Sequence, residues 1–349
     1  MNLALNLALD ATYSLGRDLS GVGVYSAELL AGLTAAHPEA RFTFCYRSQR
    51  FWRSFRQRLP RNAGRFLLTE NRVPRAADLF HGLNQRLPAA RPRRTVTTFH
   101  DLFVLTGDYS TPDFRRRFAE QARQAAQRSD RIIAVSEFTA RQVVDLLGVE
   151  PGRVSVVHHG VRAAAPNAGP REKIVLHVGA IQRRKNVARL VEAFEALDSA
   201  WQLVLAGSAG YGAEEILAQI EASRRRNRIR VLGYVPAGEL SGWYRRAAIF
   251  AFPSLDEGFG LPVLEAMAAG TPVISSNRSA IPEVAGDAAW LIDPENTGEL
   301  RSALGELARD EDRRADLVTK GTARAAEFTW ERAVDRTWKI YRDLLAEQA

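Results

Sequence analysis

Short apolar runs alternate with longer amphipathic ones along nearly the whole chain, a rhythm that predicts successive parallel β/α units. In the first half the runs place strands at Leu3–Ala8, Arg41–Cys45, Leu79–His81, Thr95–Phe99, Arg131–Val135 and Val154–Val157. Helical spacing of apolar residues places helices at Gly23–Ala36, Thr111–Ser129 and Glu137–Leu147. RAAAPNAGPRE, Arg162 to Glu172, has no period and reads as a linker. A second series then puts strands at Ile174–Val178, Gln202–Ala206, Ile229–Leu232, Ile249–Ala251, Pro272–Ile274 and Ala289–Leu291. Thr329–Gln348 reads as one long helix opened by a Thr cap. The expected class is α/β: two doubly wound parallel-sheet domains, residues 1–165 and 166–330, facing across a cleft that holds ligands at strand carboxyl ends. The last helix, about 331–349, is expected to pack back on the first domain.

Composition narrows the setting. A length of 349 residues suits two domains, and a single cysteine, Cys45, excludes an internal disulfide and a four-thiolate metal site. The opening MNLALNLALD reads as a strand and not as a signal peptide, and no apolar run is long enough to span a membrane. A cytoplasmic setting is expected. The net charge of +8 is uneven: residues 1–165 carry 24 Arg and no Lys against 14 acids, whereas the rest is slightly acidic. The excess concentrates in Arg41 to Arg65, a stretch with no acid. Such a patch attracts polyanions, and Phe51, Trp52, Phe55 and Leu59 recur there at roughly helical spacing, which suits an anionic membrane surface. The competing reading is an Arg-rich outer helix with its aromatics toward the core. A nucleic-acid partner is not expected.

The chemistry concentrates in SLDEGFGLPVLEAMAAGTPVI, Ser254 to Ile274. An apolar strand ends at Pro253, and Pro262 suits the first position of a helix. Between them Gly258, Phe259, Gly260 and Leu261 form a turn whose backbone can approach a ligand. The helix aims unpaired amides and the positive end of its dipole at the same spot, which makes an anion site. With a phosphate on those amides, Glu257 and Glu265 can accept hydrogen bonds from hydroxyls. Paired acceptors around a phosphate suit a sugar and a ribose. Arg183-Arg184-Lys185 follows another strand and Gly179, so it stands at the mouth of the same cleft with its positive charge fixed there. Lys185 is one of four lysines against 44 arginines.

This stretch resembles the signature of the retaining, nucleotide-sugar-dependent glycosyltransferases of family four, which have the GT-B fold of two Rossmann-like domains. The resemblance extends through SGVGVYSAELLAGL, ADLFHGLNQRLP, TTFHDLFVL, AVSEFTARQVV, VVHHGV, LHVGAIQRRKN, VLGYVP and NRSAIPEVAGDAA, in that order. It implies that Glu257 touches the transferred sugar, that Glu265 binds the ribose, and that Gly258 to Leu261 contact sugar and diphosphate. Arg184 and Lys185 would meet the diphosphate, although Ala180 stands where many members have Arg. His100 would lie against the transferred sugar, Gly21 and Gly23 would face the diphosphate, and Tyr234 and Val235 would border the base. His81 and Asp78 match a strand-end pair. No cofactor and no metal are implied; Asp310-Glu311-Asp312 fits an Asp-x-Asp pattern but lies in a charged helical run.

No residue is placed as a covalent nucleophile. The resemblance implies front-face substitution with the departing phosphate taking the acceptor's proton. The donor it favours is GDP-mannose, with a UDP-hexose as rival, and the acceptor a saccharide or polyprenyl-linked saccharide in polysaccharide assembly, at the cytoplasmic face of the inner membrane. An epimerase or phosphorylase does not fit the Glu-x7-Glu loop or the length. A non-catalytic membrane or nucleic-acid module leaves Glu257, Glu265 and Lys185 without a task. A dinucleotide dehydrogenase lacks the third glycine after Gly21 and Gly23.

Overall fold

A computed structural model describes residues 5–16, 18–162 and 169–347. The chain divides into two compact units. The first comprises residues up to Thr106, Pro112–Gly160 and the chain from Thr329; the second comprises Val161–Phe328 together with Gly107–Thr111.

Among the described residues the first unit holds β1 (Asn6–Asp10), α1 (Gly21–Ala36), β2 (Arg41–Arg47), α2 (Ser48–Ser54), β3 (Ala63–Leu68), β4 (Leu79–Gly82), β5 (Thr95–Phe99), α3 (Phe103–Thr106), α4 (Pro112–Arg128), β6 (Arg131–Ala134), α5 (Glu137–Leu147) and β7 (Val154–Val156). The strands form a parallel sheet of order β3-β2-β1-β4-β5-β6-β7. The order reverses between β1 and β4, the place where an open α/β sheet leaves a crevice at its carboxyl edge.

The second unit repeats the plan with β8 (Glu172–Val178), α6 (Val187–Phe194), β9 (Gln202–Ala206), α7 (Ala213–Ala222), β10 (Ile229–Gly233), α8 (Ala237–Arg246), β11 (Ala247–Phe252), α9 (Leu261–Ala268), β12 (Val273–Ser276), α10 (Ile281–Ala285), β13 (Trp290–Ile292), α11 (Thr297–Arg309) and α12 (Glu311–Ala325). Its parallel order is β10-β9-β8-β11-β12-β13, with Leu176 of β8 opposite Phe250 of β11. Here the switch point lies between β8 and β11. β11 is wholly apolar and β8 is buried from Ile174 on, as expected where helices cover both faces.

The last helix, α13 (Trp330–Ala346), is capped by the Thr329 hydroxyl, which accepts from the Arg332 amide. Trp330, Val334, Tyr341 and Leu344 bury into the same core as Leu29 and Leu33 of α1. A Cβ on Gly32 would fall 2.4 Å from a Val334 methyl, and one on Gly160 would fall 2.2 Å from the Trp330 nitrogen. Both glycines are set by the close approach of α13.

Several sequence expectations shift. The strand expected at Arg41–Cys45 is present as β2 and runs on to Arg47, whereas the helical spacing of Phe51 to Leu59 is realised only as far as the short α2, which ends at Ser54. Phe51 and Leu59 pack against the core, which leaves Trp52 and Phe55 exposed. Strand β3 has no counterpart in the apolar pattern, since Arg65 and Gly64 interrupt it. The first strand lies at Asn6–Asp10, later than the expected Leu3–Ala8. Residues 1–4 lie outside the described residues, as do most of the expected linker and Gln348 at the end of the expected last helix. Helix α9 begins at Leu261, so Pro262 is its second residue.

Candidate functional site

The candidate residues fall into two groups, one in each unit. In the second unit the chain leaves β8 at Val178, passes Gly179 and makes a 3-10 turn over Arg183–Lys185. It leaves β11 at Phe252 and runs through Glu257 to α9. These two exits flank the switch point, so Arg184, Lys185 and Glu257 converge. Lys185 Nζ donates to Glu257 Oε1 at 2.5 Å, and Arg184 Nη1 lies 3.1 Å from Glu257 Oε2. All three residues are at most 8% exposed. One carboxylate thus faces two cations, and the triad carries an excess of positive charge.

Burial alone would raise the Glu257 carboxyl, but Arg184 and Lys185 together hold it down at about 2. The triad is braced on every side. Arg184 also donates to the Asp256 carbonyl, the Leu255 amide donates to the Arg184 carbonyl, and the Glu257 amide donates to Ser279 Oγ. Asn186, left-handed at φ 57°, joins the loops through Nδ2 bonds to the carbonyls of Pro253 and Pro294. Lys185 Nζ sits 4.6 Å from the centre of the Phe252 ring, a cation–π contact. A Cβ on Gly179 would lie 3.4 Å from Lys185 Cε.

Gly260 caps α9 with φ 104°, and a Cβ there would strike the Ile281 side chain at 2.6 Å. Only glycine is at ease at that position. The amides of Gly260 and Leu261 make no hydrogen bond among the described residues, so they remain available at the positive end of α9. Gly258 and Phe259 are buried in the same loop, and Phe259 packs edge-on against Phe328.

Glu265, one turn into α9, is half-buried and accepts from the Tyr244 hydroxyl at 2.8 Å. Burial raises its carboxyl to about 7, against the pull of that hydrogen bond. Tyr234 and Val235 follow β10, Tyr234 exposed and Val235 half-buried.

In the first unit His100 follows β5. Its Nε2 lies 2.9 Å from the Leu83 carbonyl and therefore carries the proton, which leaves Nδ1 as an acceptor. Tyr25 meets the ring edge-on and His159 stacks on it. Burial lowers His100 to about 4, so the ring is neutral at pH 7. His81 bridges Tyr341 of α13 at 2.5 Å and Thr98 at 2.8 Å, and Thr98 also meets the Tyr25 hydroxyl at 2.9 Å. Asp78 accepts from the Asn6 amide at 2.9 Å, which ties the segment before β4 to the start of β1. Gly23 sits against the Tyr13 carbonyl and Leu19, whereas Gly21 opens α1 in free space. Asp310 caps α12, accepting from the Arg313 amide.

Ser279, Asn186, Tyr244 and Gly207 support this site without having been singled out in the sequence. Asn186 and Ser279 lie within the motifs LHVGAIQRRKN and NRSAIPEVAGDAA, and Gly207 belongs to a glycine-spaced loop; a Cβ on Gly207 would fall 1.9 Å from the Gly179 carbonyl oxygen.

Two parallel sheets in this order, one with a cation–carboxylate triad and free helix amides at its switch point, define a GT-B protein. Residues 163–324 match the family described as Glycosyl transferases group 1, and residues 19–164 match Glycosyltransferase Family 4. The chain belongs to these glycosyltransferases. It is 28% identical to the O-antigen chain mannosyltransferase B of Escherichia coli, over 95% of this chain and 98% of that one. It is 29% identical to the D-inositol 3-phosphate glycosyltransferase of Acidothermus cellulolyticus, over 75% of this chain and 63% of that one. Sucrose-phosphate synthase from Thermosynechococcus elongatus has the same fold, with a TM-score of 0.82 and 20% identity over 99% of this chain and 100% of that one.

Proposed function

We propose that the protein moves a hexose, mannose in preference, from a nucleotide sugar to a saccharide or lipid-linked acceptor in polysaccharide assembly, with retention and without a metal. The observation that carries this reading is the buried triad of Arg184, Lys185 and Glu257 beside the unpaired amides of Gly260 and Leu261. A diphosphate recruits the two cations and the amides. Glu257, partly released, then accepts from sugar hydroxyls, and Glu265 accepts from the ribose. Charge that develops on the leaving phosphate meets donors already in place, which is how such a site lowers the barrier. Arg184 and Lys185 supply the positive charge that a divalent ion would otherwise bring. Neutral His100 offers Nδ1 to a hydroxyl. Similarity to a mannosyltransferase over nearly its whole length supports GDP-mannose over a UDP-hexose.

The test is to incubate the protein with labelled GDP-mannose and with UDP-glucose, with and without chelator, and to follow nucleotide release. Release of GDP that persists in chelator is expected. Release from neither donor would overturn the reading.

A further inference from the structure

The first unit also carries a cleft of about 750 Å³, lined by Phe66, Asn71, Arg72, Val73, Arg75 and Arg91 among others. Its two walls are the turn after β3 and the segment before β5. Glu70 ties them together: Oε1 takes Arg47 at 2.8 Å and Arg86 at 3.3 Å, Oε2 takes the Ala89 amide at 3.2 Å, and the Glu70 carbonyl takes the Ala90 amide at 2.6 Å. Arg128 of α4 braces the far wall through the carbonyls of Pro88, Ala89 and Ala90. The walls therefore stand without help from Arg72, Arg75 or Arg91.

Those three arginines are exposed and enter no ion pair among the described residues. The acids of this stretch are engaged elsewhere, Glu70 as above and Asp78 on the Asn6 amide. The positive charge at Arg91 is felt by Arg128, whose pKa is lowered first by burial and then by that neighbour. Arg72 lies over the Phe66 ring at 5.2 Å, which holds one guanidinium against the apolar floor. An uncompensated trio of guanidinium groups around a cavity attracts a compact, multiply charged oxyanion, since each fork can pair with two oxygens.

We propose that this cleft is a binding site for a phosphoryl-bearing ligand of the diphosphate class. None of its residues belongs to the donor set, so the site goes beyond the transferase reading and stands or falls separately. A monovalent carboxylate would neutralise only one of the three charges, whereas a diphosphate can meet all of them. The source is either a free diphosphate or the headgroup of a diphosphate-bearing lipid.

The test titrates inorganic pyrophosphate by calorimetry into the full chain, into the Arg72→Ser, Arg75→Ser, Arg91→Ser variant, and into an Arg53→Ser, Arg56→Ser, Arg58→Ser variant with the same change in net charge. Thermal unfolding verifies that all three proteins fold. Any pyrophosphate held by Arg184 and Lys185 is common to the three. The cleft variant should bind more weakly by about tenfold or more, since even one lost charge-assisted hydrogen bond costs about that factor, and the control should stay within about twofold of the parent. A second arm offers farnesyl diphosphate in phosphatidylcholine vesicles. Loss in both arms identifies a lipid headgroup as an accepted form, and loss in solution alone identifies the free species. Unchanged pyrophosphate binding in the cleft variant, or equal loss in the control, overturns the proposal.

Discussion

Glu257 and Glu265 stand at the two ends of one helix entry and titrate in opposite directions: both are desolvated, but two cations overcome burial at Glu257, whereas at Glu265 burial outweighs the single hydrogen bond from Tyr244. Glu257, held at about 2, contributes stability above the ordinary carboxylate range that is lost only as pH falls through that value. Replacing Lys185 or Glu257 by Ala should each lower turnover by about a hundredfold, the usual cost of losing one charge-stabilising group, as read by steady-state nucleotide release. Unchanged turnover in either variant would remove that residue from the mechanism. Glu265, raised to about 7, works the other way. The folded state holds its proton above the unfolded value of 4.5, so this contribution is fully present below 4.5 and is lost as pH rises through 7. Glu265→Gln should therefore flatten the pH dependence of stability between those values. It should gain on the order of 1–3 kcal/mol over the parent at about pH 8 and little at about pH 4, as measured by urea unfolding at both. Equal differences at the two pH values would show that Glu265 titrates normally.

At the scale of elements, most of the fold was legible because strands buried on both faces read as short apolar runs, and helices buried on one face keep a 3.6-residue period. Thr95–Phe99, Gln202–Ala206 and Glu137–Leu147 match their sequence reading to the residue. Strand β3 was illegible because it is a half-exposed edge strand whose Gly64 and Arg65 break the apolar run. The paired site residues were legible from glycine spacing and charge, but their braces were not. Ser279 and Asn186 act through left-handed backbone and a few side-chain hydrogen bonds that leave no periodic trace. Two glycines, Gly160 against α13 and Gly242 inside α8, make a clear contrast. Gly160→Ala should destabilise by about 1–3 kcal/mol, since the new Cβ meets backbone at 2.2 Å. Gly242→Ala, inside α8 with open space around it, should stabilise by about 0.5–1 kcal/mol. Thermal unfolding of the two variants checks both signs.

For the whole molecule the charge asymmetry remains the feature that no active-site argument absorbs. No helix among the described residues is long and apolar enough to cross a membrane. Trp52 and Phe55 are nevertheless 77% and 57% exposed amid the arginines of Arg41–Arg65. Aromatic rings flanked by cations suit the headgroup region of an anionic bilayer. Arg53→Glu combined with Arg56→Glu should weaken sedimentation with anionic liposomes while leaving nucleotide release intact; equal sedimentation would refute a membrane role for this face.

The donor site itself is tested most directly by a crystal structure with the intact nucleotide sugar, or with its nucleotide diphosphate. The diphosphate should lie on the amides of Gly260 and Leu261 within hydrogen-bond reach of Arg184 and Lys185, with ribose hydroxyls on Glu265. A ligand bound elsewhere, or Glu265 still closed on Tyr244 with no ribose contact, would contradict it.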